Sequence, residues 1–195
     1  IPLHTLVSPS QAPLPAAELP SGASRSLAQR EPVLDSETGR KRYFVVHGGL
    51  FSRDDVTLDD VAGVDRFACK QPGQEGLMME LLWSDPQTAP GRGPSKRGVG
   101  LGFGPDISRA WCQKNGVTAV LRSHEVRQNG YAEEHDGLCC TVFSAPNYCD
   151  SAGNLGAFGR IDAHGTLNWT TFQAQPHPNI RPMAYAGGPM GGLLA

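Results

Sequence analysis

The sequence predicts an α/β fold, and two observations carry that prediction. Three apolar, β-favouring runs each drive straight into a polar loop: YFVVHGG reaches His47, VTAVLRSHEV reaches His124, and LCCTVFSAPNYCD reaches Asn147, Tyr148 and Cys149. Between the first two runs, PDISRAWCQKNG carries the start and stop signals of a helix. Strands that alternate with helical segments read as parallel-sheet units, and such sheets place ligands at the C-terminal edges of their strands.

The elements follow in order. Residues 8–42 are rich in Ser, Pro, Ala and Gly with no apolar period of 2 or 3.6, the composition of a disordered or loosely held segment. Its basic end, Arg40, Lys41 and Arg42, suits either a solvated strand flank or a nuclear-import signal. The strand that follows ends at His47 and a Gly-Gly pair, which lets the backbone turn sharply or approach another group closely. His47 itself reads either as an imidazole capping a strand or as a group facing a ligand.

Thr57 is placed to cap a short helix, with Asp59 and Asp60 in its first turn and Gly63 weakening it. GLMMELLWSDP is apolar as far as Trp83 and is stopped by Pro86, so Ser84 and Asp85 fall on a loop. The next helix is capped by Asp106 and ended by Gly116. A strand over residues 138–143 leads into the Asn147–Tyr148 loop, which by itself reads as a turn around Pro146. GAFGRIDAHGTLNWTTFQA is a hairpin with Ala163, His164 and Gly165 in its turn, and the terminal GGPMGGLLA reads as frayed. His135, His164 and His177 read as turn or surface histidines.

Composition narrows the function classes. The chain has 195 residues, 39% of them hydrophobic, with 24 Gly and 16 Pro, so one core and much loop are expected. A net charge of −2 leaves no electrostatic footprint for nucleic acid or an anionic membrane. No apolar run reaches the roughly 18 residues that span a bilayer. Five cysteines with no C-x-x-C pair suggest reduced thiols, hence a soluble protein of the cytoplasm or nucleus.

Two histidines at strand ends, Arg97 in the glycine-rich SKRGVGLGFG and a tyrosine loop suit an anion held by a metal, because imidazole binds Mn, Fe or Zn and guanidinium binds phosphate in a fork. Two histidines alone are too few for a closed site. The ordered set HGGLFS, LLWSDP, KRGVGLGFG, RSHEV and TVFSAPNYCD nevertheless resembles the second half of the catalytic domain of the phosphoprotein Ser/Thr phosphatases, over residues 43–186. VTLDDV and PHPNIRPMAYA resemble the type 5 branch of that family, and IPLHTLV is similar to the segment that precedes the His47 strand there.

The resemblance implies part of a metallophosphatase β-sandwich flanked by helices, namely the second sheet and its helices. Residues 1–7 would end the preceding segment, 8–42 would be an insertion and 187–195 a flexible tail. It implies hydrolysis of phosphoserine and phosphothreonine esters at a dinuclear centre of Mn, Fe or Zn, with phosphoproteins as substrates. His47 and His124 match the histidines of the second metal, Arg97 the arginine that holds phosphate oxygens, and Tyr148 the tyrosine overhanging the site, with Asn147 beside it facing substrate. Asp85 and Glu125 are candidates for orienting these groups by hydrogen bonds. A chaperone partner would act through tetratricopeptide repeats upstream.

The family's Gly-Asp-x-His-Gly, Gly-Asp-x-Val-Asp-Arg-Gly and Gly-Asn-His-Glu blocks do not occur in these residues. With them go the first metal's ligands, the bridging aspartate and the histidine that protonates the leaving group. The expectation is a piece of a longer enzyme, inactive alone; the alternative is a non-catalytic, phosphatase-like peptide-binding module.

Overall fold

A computed structural model describes residues 4–7, 23–25, 31–69 and 71–179. At its centre is a five-stranded sheet of β1 (His4–Val7), β3 (Tyr43–Val46), β7 (Ala119–Arg122), β9 (Cys139–Val142) and β8 (Tyr131–Glu134), in that spatial order. The inner three run parallel, while β1 and β8 close the two edges antiparallel. A second sheet orders β10 (Gly156–Ile161), β11 (Leu167–Phe172) and β2 (Ala23–Arg25), and a small third sheet orders β4 (Asp85–Pro86), β6 (Leu101–Phe103) and β5 (Arg92–Pro94).

Strand alternation explains the layering. Successive side chains point to opposite faces, so a strand buried on both sides reads as an unbroken apolar run. Phe44, Val46, Val120 and Cys139 turn to one face, where they meet Val61 of α1 (Leu58–Ala62), Leu81 of α2 (Leu77–Trp83) and Trp111 of α3 (Pro105–Asn115). Tyr43, Ala119, Leu121 and Cys140 turn to the other face and pack on Leu167 and Trp169 of β11. Polar tips of the aromatic side chains are satisfied across both interfaces. The Tyr43 hydroxyl donates to the Gly165 carbonyl at 2.8 Å, and the indoles of Trp111 and Trp169 donate to Val56 O at 3.0 Å and Glu133 Oε1 at 2.9 Å. Each fully buried Phe, Leu or Val contributes about 1.5–3 kcal/mol to holding these layers together.

Local signals set the helix ends. Thr57 and Asp60 form a complete capping box on α1. The start of α3 departs from expectation: Gly104 is the cap and Pro105 the first helical residue, so Asp106 sits inside the first turn. Proline's fixed φ suits that position, and the Asp106 carboxylate is used elsewhere, accepting the Gly91 N–H at 2.7 Å. Gly116 ends α3 in the left-handed conformation, as expected. Asp85 is not in a loop; β4 pairs it with Gly102 of β6. The strand expected over 138–143 is Cys139–Val142, and the hairpin forms with its arms closing at Ile161 and Leu167.

The expectation of a loosely held segment fails over residues 31–42. Asp35 is buried there, its carboxylate taking Thr38 N–H, Thr38 Oγ1 and the Arg42 guanidinium. Thr118 Oγ1 donates to Val33 O at 2.6 Å and accepts from Arg42 N–H at 3.1 Å, stitching the segment to the start of β7. Low apolar content hid this because the ties are polar and local. Strand β2 likewise pairs with β11. Residues 8–22, 26–30 and the terminal GGPMGGLLA lie outside the described residues. None of the five cysteines is in a disulfide, and among the described residues no helix is long and apolar enough to cross a membrane.

Candidate functional site

The three parallel strands deliver their polar loops to one edge of the sheet. His47 follows β3 directly, Ser123 and His124 follow β7, and the Asn147–Tyr148 loop follows β9. Backbone pairing ties the first two together, for Ser123 N–H donates to His47 O at 3.1 Å. The Gly-Gly pair after His47 is required by close approach. A Cβ on Gly48 would lie 2.5 Å from the backbone of Leu82, and one on Gly49 would lie 2.2 Å from the Phe103 ring. His124 has φ of 74°, a left-handed conformation that costs a non-glycine residue of order 1–3 kcal/mol and recurs at functional sites.

Beside that strained backbone two imidazoles meet edge-on, their planes 70° apart. His47 Nε2 and His124 Nδ1 are 2.9 Å apart, with ring centroids at 4.7 Å. The other His124 nitrogen, Nε2, is buried with no hydrogen-bond partner, and the Trp83 ring meets the imidazole edgewise at 5.3 Å. Burial lowers the pKa of both histidines, His124 to about 4; neighbouring positive charge, chiefly Arg122 at His47 and Arg97 at His124, adds to the effect and Asp85 opposes it. Both rings are therefore neutral at pH 7, the form in which imidazole ligates a metal.

Arg97 stands beside this pair. Its Nε donates to Asp85 Oδ2 at 2.7 Å and its NH2 to the His124 carbonyl at 3.3 Å. A third of its side chain remains exposed, with N–H groups free to meet an anion. The other Asp85 oxygen accepts from Arg122 NH2 at 2.7 Å. Arg122 is wholly buried at the end of β7 and also donates to Gly48 O at 2.6 Å, Glu125 Oε2 at 2.7 Å and Thr141 Oγ1 at 3.4 Å. Glu125 accepts in turn from Arg127, whose NH2 reaches Glu134. Of the two candidates, Asp85 thus hydrogen-bonds Arg97 and Arg122, and Glu125 hydrogen-bonds Arg122 and Arg127. Sequence reasoning passed over Arg122 itself, although an arginine closing an otherwise apolar strand run was a visible signal.

The Tyr148 loop is placed differently. Tyr148 is half-exposed, its ring edge-on to Phe143 at 5.1 Å, and no hydrogen bond or ring contact joins it to His47, His124 or Arg97 among the described residues. The Asn147 side-chain oxygen Oδ1 accepts Gly153 N–H at 3.0 Å, and its backbone N–H donates to Asn154 O at 2.8 Å. With φ of 47° it is the hinge of the loop that carries Tyr148. His135 is not a surface histidine: half-buried, it joins the buried Ser108 of α3 to the Gln87 carbonyl, at 2.7 and 2.9 Å. His164 does sit in the hairpin turn, and His177 is exposed beside Asp150.

The donor set fits a metal in part. Two neutral imidazole nitrogens 2.9 Å apart suit neighbouring positions on one ion. No group of three His, Cys, Asp or Glu able to hold a metal exists among the described residues. The nearest carboxylate, Asp85, is engaged by two guanidiniums. The described residues therefore offer two imidazole donors toward one ion, with no third His, Cys, Asp or Glu grouped with them.

Comparison with known proteins agrees with this arrangement. The family described as calcineurin-like phosphoesterase matches residues 13–128. Serine/threonine-protein phosphatase T of Schizosaccharomyces pombe is 66% identical over 151 residues, covering 77% of this chain and 32% of the relative. Serine/threonine-protein phosphatase 5 of Homo sapiens is 48% identical over 146 residues, 74% of this chain and 29% of the relative. A solved protein serine/threonine phosphatase from Saccharomyces cerevisiae superposes with a TM-score of 0.66 at 47% identity, over 73% of this chain and 48% of that one. The chain thus spans about a third of the length of the curated relatives it matches.

Proposed function

Because the chain belongs to the calcineurin-like phosphoesterase family, we propose that it supplies two histidine donors and the phosphate-binding arginine of a protein serine/threonine phosphatase. The observation that carries this reading is the 2.9 Å approach of His47 Nε2 to His124 Nδ1 beside Arg97. When bound, Mn, Fe or Zn supplies Lewis-acid polarisation of a phosphoryl oxygen and a nucleophile at neutral pH.

The chain's own groups do the rest of what is proposed. His47 and His124 hold one ion through Nε2 and Nδ1, needing no proton loss at neutral pH. Arg97 meets the phosphoryl oxygens with the N–H groups that Asp85 and the His124 carbonyl leave free, and offsets charge as it builds there. Tyr148 bounds the approach of a phosphoserine or phosphothreonine side chain from the end of β9. The remaining donors, including any bridging carboxylate, come from outside the described residues, so these residues alone are not a working hydrolase. A chaperone engaged through tetratricopeptide repeats would bind outside this chain, and free thiols support the cytoplasm or nucleus as its compartment.

The test is a chimera in which residues 43–179 replace their counterparts in the Schizosaccharomyces pombe relative. The metal-loaded chimera should hydrolyse a phosphoserine peptide and lose that activity on His47→Ala or His124→Ala. A folded, metal-loaded chimera without turnover, or one indifferent to His47→Ala, contradicts the reading.

A further inference from the structure

We infer that Arg122 is the positioning residue of this site: one buried guanidinium sets the spacing of His47 and His124 and the aim of Arg97. The inference rests on the functional reading above and extends it to a residue that touches neither metal nor substrate. Each edge of the guanidinium holds a different segment. Nε donates to the carbonyl of Gly48, the residue after His47, at 2.6 Å. NH1 donates to Glu125, the residue after His124, at 2.7 Å. NH2 donates to Asp85 at 2.7 Å, and the other Asp85 oxygen holds Arg97 Nε at the same distance.

The loops after β3 and β7 and the start of β4 are thereby referred to one rigid plane. A guanidinium is suited to this because its donors form a fixed fork, whereas an ammonium is a point charge on a flexible stem. The side chain is wholly buried, so no water competes for these bonds. The surrounding charge also balances, with Arg97, Arg122 and Arg127 set against Asp85, Glu125 and Glu134. A residue needed for charge pairing alone would be replaceable by lysine; a residue that sets spacing would not.

Zinc affinity of the full 195-residue chain, measured by isothermal titration, separates the two. His47→Ala fixes the background from other sites. Arg122→Lys and Arg122→Gln are each expected to weaken zinc binding about 10- to 100-fold, the usual effect of losing a group that orients metal ligands. The charge-conserving lysine should fail to rescue, and the cross-ring contact between His47 and His124, read by NMR, should weaken in parallel. Wild-type zinc affinity in a cooperatively folded Arg122→Lys or Arg122→Gln overturns the inference. If neither variant folds, Glu125→Ala removes one arm at a partly exposed position: several-fold weaker zinc binding supports the inference, and unchanged binding overturns it. Unchanged zinc affinity in His47→Ala is a distinct result, for it overturns the underlying reading of the histidine pair.

Discussion

His47 Nε2 lies 2.9 Å from His124 Nδ1, although the two residues are seventy-seven positions apart in the chain. Parallel pairing of β3 with β7 makes the meeting possible, because both strands end at the same sheet edge. The left-handed backbone of His124 then turns its ring toward the partner. The strain at His124 is tolerated because the surrounding hydrogen bonds fix it.

Arg97→Ala in the chimera is expected to lower kcat/KM for a phosphoserine peptide by a factor of order 10² or more, since a charge-assisted contact to the transferring group is lost. Arg97→Lys should recover little, because the fork is gone. Steady-state kinetics decide it, and an unchanged kcat/KM removes Arg97 from the site.

Gly48→Ala is expected to destabilise the chain by about 1–3 kcal/mol, the range for forcing atoms into a packed region. The added Cβ would sit 2.5 Å from Leu82 backbone, which cannot rotate away as a side chain could. Urea unfolding measures the change; stability equal to wild type would mean that the contact with α2 relaxes freely.

Acid stability should report on Asp35. Hydrogen bonds from Thr38, and then from Arg42, lower its pKa from 3.8 to about 2 in the folded chain. A depressed folded pKa contributes stability that is fully present above the unfolded value of 3.8 and is lost as pH falls through about 2. Asp35→Asn should therefore flatten the fall of Tm between about pH 4 and 2 relative to wild type. Parallel Tm curves for the two proteins would contradict the assignment.

Thr118→Val should cost about 1–3 kcal/mol, the usual penalty when buried groups lose a partner, because Val33 O loses its donor and Arg42 N–H its acceptor. Chemical denaturation reads it. An indifferent variant would mean that residues 31–42 have little stake in the core.

How much of this was legible in the sequence depends on the kind of signal. The buried strands were, because alternate residues such as Phe44 and Tyr43 both need cover and so leave an unbroken apolar run. The ends of those strands were legible too, and with them His47, His124 and Arg97. The order of residues 31–42 was not, since it depends on Asp35 and Thr118 finding polar partners, and composition records only their polarity. Asp106 misled because a capping residue type stood two positions too late, after a proline that had already begun the helix. Arg122 was missed because three of its four partners come from distant segments, which no local pattern announces.

The central claim is that these residues bring two metal donors and a phosphate-binding arginine but not a complete centre. The most direct test is to purify the 195-residue chain, saturate it with Mn²⁺, and assay an aryl phosphate and a phosphoserine peptide beside the full-length Schizosaccharomyces pombe relative. No metal-dependent turnover is expected, because two imidazoles cannot hold a pair of ions and no group of three metal-ligating side chains exists among the described residues. Metal-dependent turnover within about tenfold of the relative, abolished by His47→Ala, would contradict the claim and require the missing ligands to lie within this chain.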